Sequence, residues 1–156
     1  MMKTEQEIKG ESDMIVRNCA GGVVFYANQV FLLQNDKNEW VLPKGKIRDD
    51  EPAADTAFSR VEIEAGLETS ILSTAGETCY EFFSVTRRQP VCNQIVWYIM
   101  HAQSKEFRIN DKEGFKDGGF FPIEEALEKI TYSQDRSLVS LSYRKYKEMM
   151  KEKVAI

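Results

Sequence analysis

With 156 residues, 21 basic and 25 acidic side chains and a net charge of −4, the chain is sized for one domain and lacks the basic excess of a surface that coats nucleic acid. Apolar residues make up 42% and charged residues 29%, the balance of a globular core that needs no disulfide or metal staple. No run is long and apolar enough for a leader or a membrane span, so no membrane partner is expected, and the widely spaced Cys19, Cys79 and Cys92 are expected as free thiols in a reducing, cytoplasmic setting.

Residues 1–13 are polar and read as a frayed end, with a single domain expected over 14–152. Met14–Val16 reads as a short strand. Cys19–Tyr26 reads as a longer one, with Gly21 and Gly22 marking a bulge or a close approach of backbone. Ala27-Asn28 is expected to turn, with Asn in the left-handed conformation, and Gln29–Gln34 to return. Trp40–Leu42 is a short strand that Pro43 ends. A helix is expected from about Pro52 to Ala65, with Asp50 as its cap, acidic charge over Asp49–Glu51 at its positive end, and Gly66 closing it.

Beyond that helix the pattern changes to period two. Thr69–Thr74, Thr78–Val85 and Val91–Ala102 read as strands, with Arg87-Arg88-Gln89-Pro90 as the tip between the last two. His101 ends an apolar run, and with no G-x-S-x-G nucleophile sequence beside it a structural role is expected. Ser104–Gly119 reads as a surface loop carrying Asp111, Glu113 and Asp117. Gly119–Pro122 is a short strand and Ile123–Ile130 a short helix. Ser133 is the expected cap of a last helix to about Lys151, with Leu138, Leu141, Tyr146, Met149 and Met150 in its apolar stripe. This order implies an α/β fold, a three-layer α/β/α sandwich around a mixed sheet.

The stretch Gly45–Leu67 carries the functional question. At about 100° per helical residue, Ala57, Phe58, Val61 and Ala65 fall within about 60° of Ala54 and form the expected core face. Ile63 falls about 180° from Ala54, flanked by Arg60 and Glu64. Either a loop or the chain's end covers it, or it stands where a polar, functional residue would. Ahead of the helix, L-P-K-G-K places Lys44 and Lys46 beside exposed N–H groups. That is a candidate anion site, or a plain turn with solvated lysines.

The spacing of these residues resembles the Nudix box, in which G, five residues, E, seven residues and R-E precede an aliphatic, any residue, E-E, any residue, G and an aliphatic. Gly45, Glu51, Val61, Glu64, Gly66 and Leu67 fit. A-G-G-V-V-F (20–25), W-V-L-P-K-G-K (40–46), F-F-P-I-E-E-A-L (120–127) and I-T-Y-S-Q-D-R (130–136) resemble its flanks, closest to diadenosine-polyphosphate and diphosphoinositol-type members, over about residues 15–150. The resemblance implies a Nudix α/β/α sandwich and a Mg- or Mn-dependent pyrophosphohydrolase acting on a nucleoside diphosphate linked to another moiety. In such enzymes the helix carboxylates and the loop glycine carbonyl hold the metal. Here the box is degenerate: Ser59 replaces its Arg, Arg60 its first Glu of the helix, and Ile63 the first Glu of its E-E pair. Arg60 also lies one turn from Glu64, close enough to pair with it.

The resemblance and its departures leave three readings. The first is a weak or altered hydrolase, with Gly45 and Glu64 on the metal and Glu113 from the loop as second ligand or base. The second is a nucleotide- or phosphate-binding module without turnover, using Lys44, Lys46, Arg60 and Arg88 for phosphates and Tyr132, with Tyr80 and Phe82, for a base. The third is a protein-interaction module. A monomer or a homodimer fits any of them.

Overall fold

A computed structural model describes residues 14–155 of the chain, so the expected frayed end at 1–13 lies outside the described residues. Among the described residues, seven strands and three helices follow one another as β1 (Ile15–Tyr26), β2 (Gln29–Asn35), β3 (Trp40–Val41), β4 (Lys44–Lys46), α1 (Ala53–Ala65), β5 (Thr69–Ser84), β6 (Gln89–Ala102), β7 (Phe115–Pro122), α2 (Ile123–Lys129) and α3 (Ser133–Ala155). A 3₁₀ turn at Asp111–Glu113 precedes β7.

The sheet runs in the order β3-β2-β1-β6-β5, with β4 added to β1 and β7 to β2. β1 pairs β6 in parallel over Ile15–Phe25, and the other pairings are antiparallel, so the sheet is mixed. The period-two alternation of β1 divides its side chains between two cores. Val23 and Phe25 join the core of Trp97, Leu138, Val139 and Tyr146, and Val24 joins the core of Val61, Ala65, Leu67 and Met100. The first core lies toward α2 and α3, the second under α1, which is the expected α/β/α sandwich. Among the described residues no helix is long and apolar enough to cross a membrane.

Several expectations are corrected. The two strands expected before Ala27 are one, and so are the two expected over 69–85, whose register shifts at Ile71/Ser73 and Thr74/Gly76 absorb the break. Ala27, not Asn28, takes the positive φ of the first hairpin, at 53°. Asp50 does not cap α1; Pro52 holds the N-cap position without a side-chain bond, and the Glu51 carboxylate instead accepts from the Thr56 hydroxyl. Gly66 closes α1 with φ 64°, as its lack of a side chain allows. Gln89 and Pro90 belong to β6, leaving the turn at 85–88. β7 begins at Phe115, so the segment after β6 is a shorter loop than 104–119. On α3, Leu141 points away from the sheet and is 61% exposed, while Val139 and Ser142 are buried in its place.

The Gly21-Gly22 pair is a close approach, not a bulge, because the β1–β6 register runs through it unbroken. A Cβ on Gly21 would lie 2.5 Å from the Pro43 carbonyl oxygen and 2.6 Å from the Trp97 ring. One on Gly22 would lie 2.3 Å from Met100 Sδ. The Gly22 N–H donates to that same Pro43 carbonyl at 3.1 Å, which fixes the segment leading into β4. Gly21→Ala is therefore expected to destabilise the fold by about 2–3 kcal/mol through overpacking against backbone. Gly119→Ala, whose new carbon would meet nothing closer than 3.7 Å, should change stability by less than about 1 kcal/mol. Urea unfolding of the two variants measures the contrast.

Candidate functional site

The site is built on the face of α1. Its buried residues are Thr56, Ala57, Val61, Glu64 and Ala65, whereas Phe58, expected in the core, is 41% exposed. Relative to the expected face the buried stripe is thus rotated by about 50°, toward Glu64 and away from Phe58. Glu64 is left 2% exposed.

Both oxygens of that buried carboxylate are engaged. Oε2 accepts from Arg60 Nη2 at 2.6 Å and Nε at 3.2 Å, and Oε1 accepts from the Lys44 backbone N–H at 3.3 Å. The same Arg60 Nη2 donates to Glu113 Oε1 at 2.8 Å. One guanidinium therefore bridges a helix carboxylate and a loop carboxylate. Burial pushes Glu64 up to about 7 against the lowering pull of Arg60 and Lys44. Burial also works against the Arg60 charge, but its two carboxylate partners overcome it and raise its pKa.

Arg60 lies directly on the loop glycine: a Cβ on Gly45 would come 2.4 Å from Arg60 Cδ and Nε. Magnesium needs near-octahedral oxygen ligands and usually one or two carboxylates. Here Glu64, expected to hold it with Gly45, is paired with Arg60, whose side chain packs against Gly45. Among the described residues no group of three or more His, Cys, Asp or Glu side chains is placed to hold a metal. The residues present do not fit a resident magnesium.

Beside this bridge opens a cavity of about 400 Å³. Lys44, Glu64, Glu113 and Tyr132, all singled out in the sequence, line it. Lys46 is exposed on β4 and Arg88 lies in the turn at the far tip of the β5–β6 hairpin; neither lines it. Gly45, Glu51, Ser59, Arg60 and Gly66 are also outside the lining, Arg60 reaching it only through its bonds to Glu64 and Glu113. Ile63 is 44% exposed and sits beside the 106–112 segment, its carbonyl accepting from Asn110 Nδ2 at 3.0 Å.

The cavity also holds residues that sequence reasoning missed: Asp36, Glu39, Thr78, Gln134 and Asp135. Tyr80 and Tyr132 stack in its wall with ring centroids 5.8 Å apart. The Tyr132 hydroxyl donates to Glu39 Oε2 at 2.5 Å, and Asn35 Nδ2 donates to Glu39 Oε1 at 2.9 Å. These two bonds hold Glu39 below its ordinary pKa, and the bond to Glu39, with burial, pushes Tyr132 up to about 12. Burial pushes Asp135 up to about 6, with Lys44 pulling the other way. The buried Trp97 indole N–H donates to Thr78 Oγ1 at 2.7 Å, which holds the β5 wall that also carries Tyr80. An aromatic surface, several carboxylate acceptors and the Lys44 cation thus line one opening, and Arg60 stands beside it, bonded to the lining carboxylates Glu64 and Glu113. His101, by contrast, packs away from it against Tyr26 and Tyr146, with Nδ1 2.8 Å from the Tyr146 hydroxyl.

Comparison with known proteins agrees with this architecture. The NUDIX domain family pattern matches residues 14–141. The protein named MutT4 from Mycobacterium tuberculosis is 31% identical over 103 residues, 66% of this chain but only 40% of that relative, so the chain spans less than half its length. Among solved structures, a C. elegans Ap4A hydrolase in binary complex superposes with TM-score 0.62 at 16% identity, over 87% of this chain and 98% of that one. The MutT protein of Methanosarcina mazei does so with TM-score 0.64 at 14% identity, over 86% and 97%. An ADP-ribose pyrophosphatase from Streptococcus suis gives 0.61 at 19%, over 83% and 91%. At these identities the structural likeness concerns the fold, and the family rests on the sequence match across most of the chain: this protein belongs to the NUDIX domain family.

Proposed function

We propose that this chain is a nucleotide-binding Nudix protein in which Arg60 stands where the family's usual site holds a metal, and in which hydrolysis is weak or absent. The observation that carries the reading is the Arg60 guanidinium, bridged between Glu64 and Glu113 and lying on Gly45. A nucleotide matches the chemistry of the adjoining cavity. Its base offers a π-face to Tyr80 and Tyr132 and amino or ring N–H donors to Asp135 and Glu39. Its phosphate offers acceptors to Lys44 and to Arg60, whose planar, permanently charged donors suit an oxyanion. With Lys44 as the cation in the cavity lining and Arg60 beside it, among several carboxylates, one or two phosphates fit better than a long chain of them.

The test is calorimetric titration of ADP, ATP, ADP-ribose and diadenosine tetraphosphate, with manganese and with EDTA, alongside a hydrolysis assay. At least one of them is expected to bind with a Kd that EDTA changes by no more than about twofold, without turnover. Arg60→Gln is expected to weaken that ligand by about tenfold or more, the loss of a charge-assisted contact. The combined Ser59→Arg, Arg60→Glu and Ile63→Glu protein should gain manganese-dependent turnover. Robust turnover by the natural protein, or binding that requires metal, would overturn the reading and favour an altered hydrolase.

The pH dependence of binding follows from the two raised carboxyls. A phosphate competes with Glu64 for Arg60, and protonating Glu64 ends that competition. Affinity is therefore expected to fall as pH rises through about 7, where Glu64 loses its proton. Below about 6, Asp135 gains a proton and no longer serves as a full acceptor, so affinity should fall again. Glu64→Gln should flatten the upper limb and leave the lower one. Titrations from pH 5 to 9 check this, and a flat profile in the natural protein would contradict it.

A further inference from the structure

Cys79 on β5 and Cys92 on β6, expected from their spacing to be separate thiols, are neighbours in space. Cys79 pairs with Gln94 and Glu81 with Cys92, which puts the two cysteines on one face as a diagonal pair across adjacent strands. Their sulfurs are 2.7 Å apart. Cys79 is exposed and Cys92 is buried, so one sulfur meets solvent and the other stands directly behind it. The contact with Cys79, together with burial, pushes the Cys92 thiol up to about 11, and Cys79, the exposed member of the pair, is the sulfur that a dissolved oxidant reaches first.

The position of Cys79 gives this pair a structural consequence. β5 ends the order of strands in the sheet, so beyond β6 its backbone depends on other contacts. Gln134, in the first turn of α3, supplies them at Cys79: its Oε1 accepts from the Cys79 N–H at 3.3 Å and its Nε2 donates to the Cys79 carbonyl at 2.9 Å. Thr78 and Tyr80, on either side of Cys79, line the cavity, and so does Gln134.

We propose that Cys79 and Cys92 are a peroxide-responsive dithiol, and that their conversion to a cross-strand disulfide ties the cavity wall at 78–80 to β6. The oxidant is a hydroperoxide. The Cys79 thiolate attacks one peroxide oxygen, an S–O bond forms, the O–O bond breaks, and the departing oxygen leaves as water (or as an alcohol from an organic hydroperoxide) after taking a proton. The Cys92 sulfur then attacks the Cys79 sulfenic sulfur. The S–S bond forms, the S–O bond breaks, and hydroxide leaves with the Cys92 proton as water. Two thiols lose two electrons and two protons in total, and one peroxide is reduced. A thiol reductant reverses the change by exchange at the exposed Cys79 sulfur. Cys19, buried on β1 with burial raising its pKa, serves as the unreactive internal reference.

The experiment treats the folded protein with hydrogen peroxide near one equivalent, alkylates it under denaturing conditions and maps the peptides without reduction. The expected product is a monomer in which the Cys79 and Cys92 peptides are joined with loss of two hydrogens, Cys19 remains alkylated, and dithiothreitol restores the starting mass. The bridge should raise Tm by about 5 °C, as a short closed loop does in the unfolded chain, and slow amide exchange at 78–80. Cys79→Ser, a change at an exposed position, should abolish the product and both shifts. In Cys92→Ala a dimedone-trapped sulfenic acid should accumulate at Cys79. Sulfinic acid at Cys79 without a bridge, a bridge between two chains only, or a bridge that forms only after denaturation would each overturn the proposal.

Discussion

A carboxylate in the buried stripe of a helix needs compensation, and Glu64 obtains it from two directions. Its place on α1, close in angle to Ala57 and Val61, removes it from water whatever its ionisation costs. An unpartnered carboxylate there would be strongly destabilising. One partner is Arg60, a turn away on the same helix; the other is the Lys44 N–H on β4. That N–H is in reach because β4 pairs with β1 at Gly21, where the absence of a side chain lets Pro43 and Lys44 approach. The arrangement is therefore a chain of dependence, from Gly21 through β4 to Glu64, then to Arg60, and from Arg60 to Glu113 in the loop before β7. The loop carboxylate is part of the site because the helix cation holds it there.

The order of elements was legible because hydrophobic period and turn chemistry state it directly. The change from a helical stripe to period two after Gly66 marks the passage from α1 to β5, and Pro43, Pro52 and Gly66 punctuate it. The rotation of α1 was not legible. Counting only apolar residues gave weight to Phe58 and none to Glu64, whereas the fold exposes the first and buries the second. The same reasoning misplaced Leu141, an apolar residue on the outer face of α3. Both errors come from treating side-chain polarity as equivalent to burial, which fails where a charged group is paired inside or an apolar one is left at the surface.

The site was legible in part, and for a different reason. Gly45, Arg60 and Glu64 lie within one contiguous motif, so their spacing places them. Glu113 was found only through the resemblance. Asp36 and Glu39 carry no such signal: each sits on an ordinary stretch, and they meet Asp135 only because β2, β3 and the start of α3 converge on one opening. The nearest thing to a local clue is T-Y-S-Q-D at the head of α3, where Tyr132, Gln134 and Asp135 all turn out to face the cavity. Cys79 and Cys92 illustrate the same limit, since diagonal neighbours across a hairpin are visible only once the register is known.

Replacing a metal by arginine separates two tasks that a metal performs together. A divalent ion attracts phosphate oxygens, and it also binds water and makes that water more acidic. A guanidinium does the first through fixed donors and a delocalised charge, but it offers no coordination position at which water could be activated. On the proposed reading, an arginine at position 60 therefore bears on turnover far more than on recognition. Ile63 acts in the same direction, because a hydrocarbon there leaves Glu64 without a neighbouring carboxylate on the helix, and the remaining carboxylate, Glu113 of the loop, is itself bonded to Arg60. The base-facing side of the cavity is independent of both positions: the Tyr80–Tyr132 stack and the bonds that hold Glu39 involve neither residue. On the proposed reading, a site altered at these two places keeps the means to recognise a nucleotide without the means to cleave it, and Glu64 serves as the anchor of the Arg60 cation.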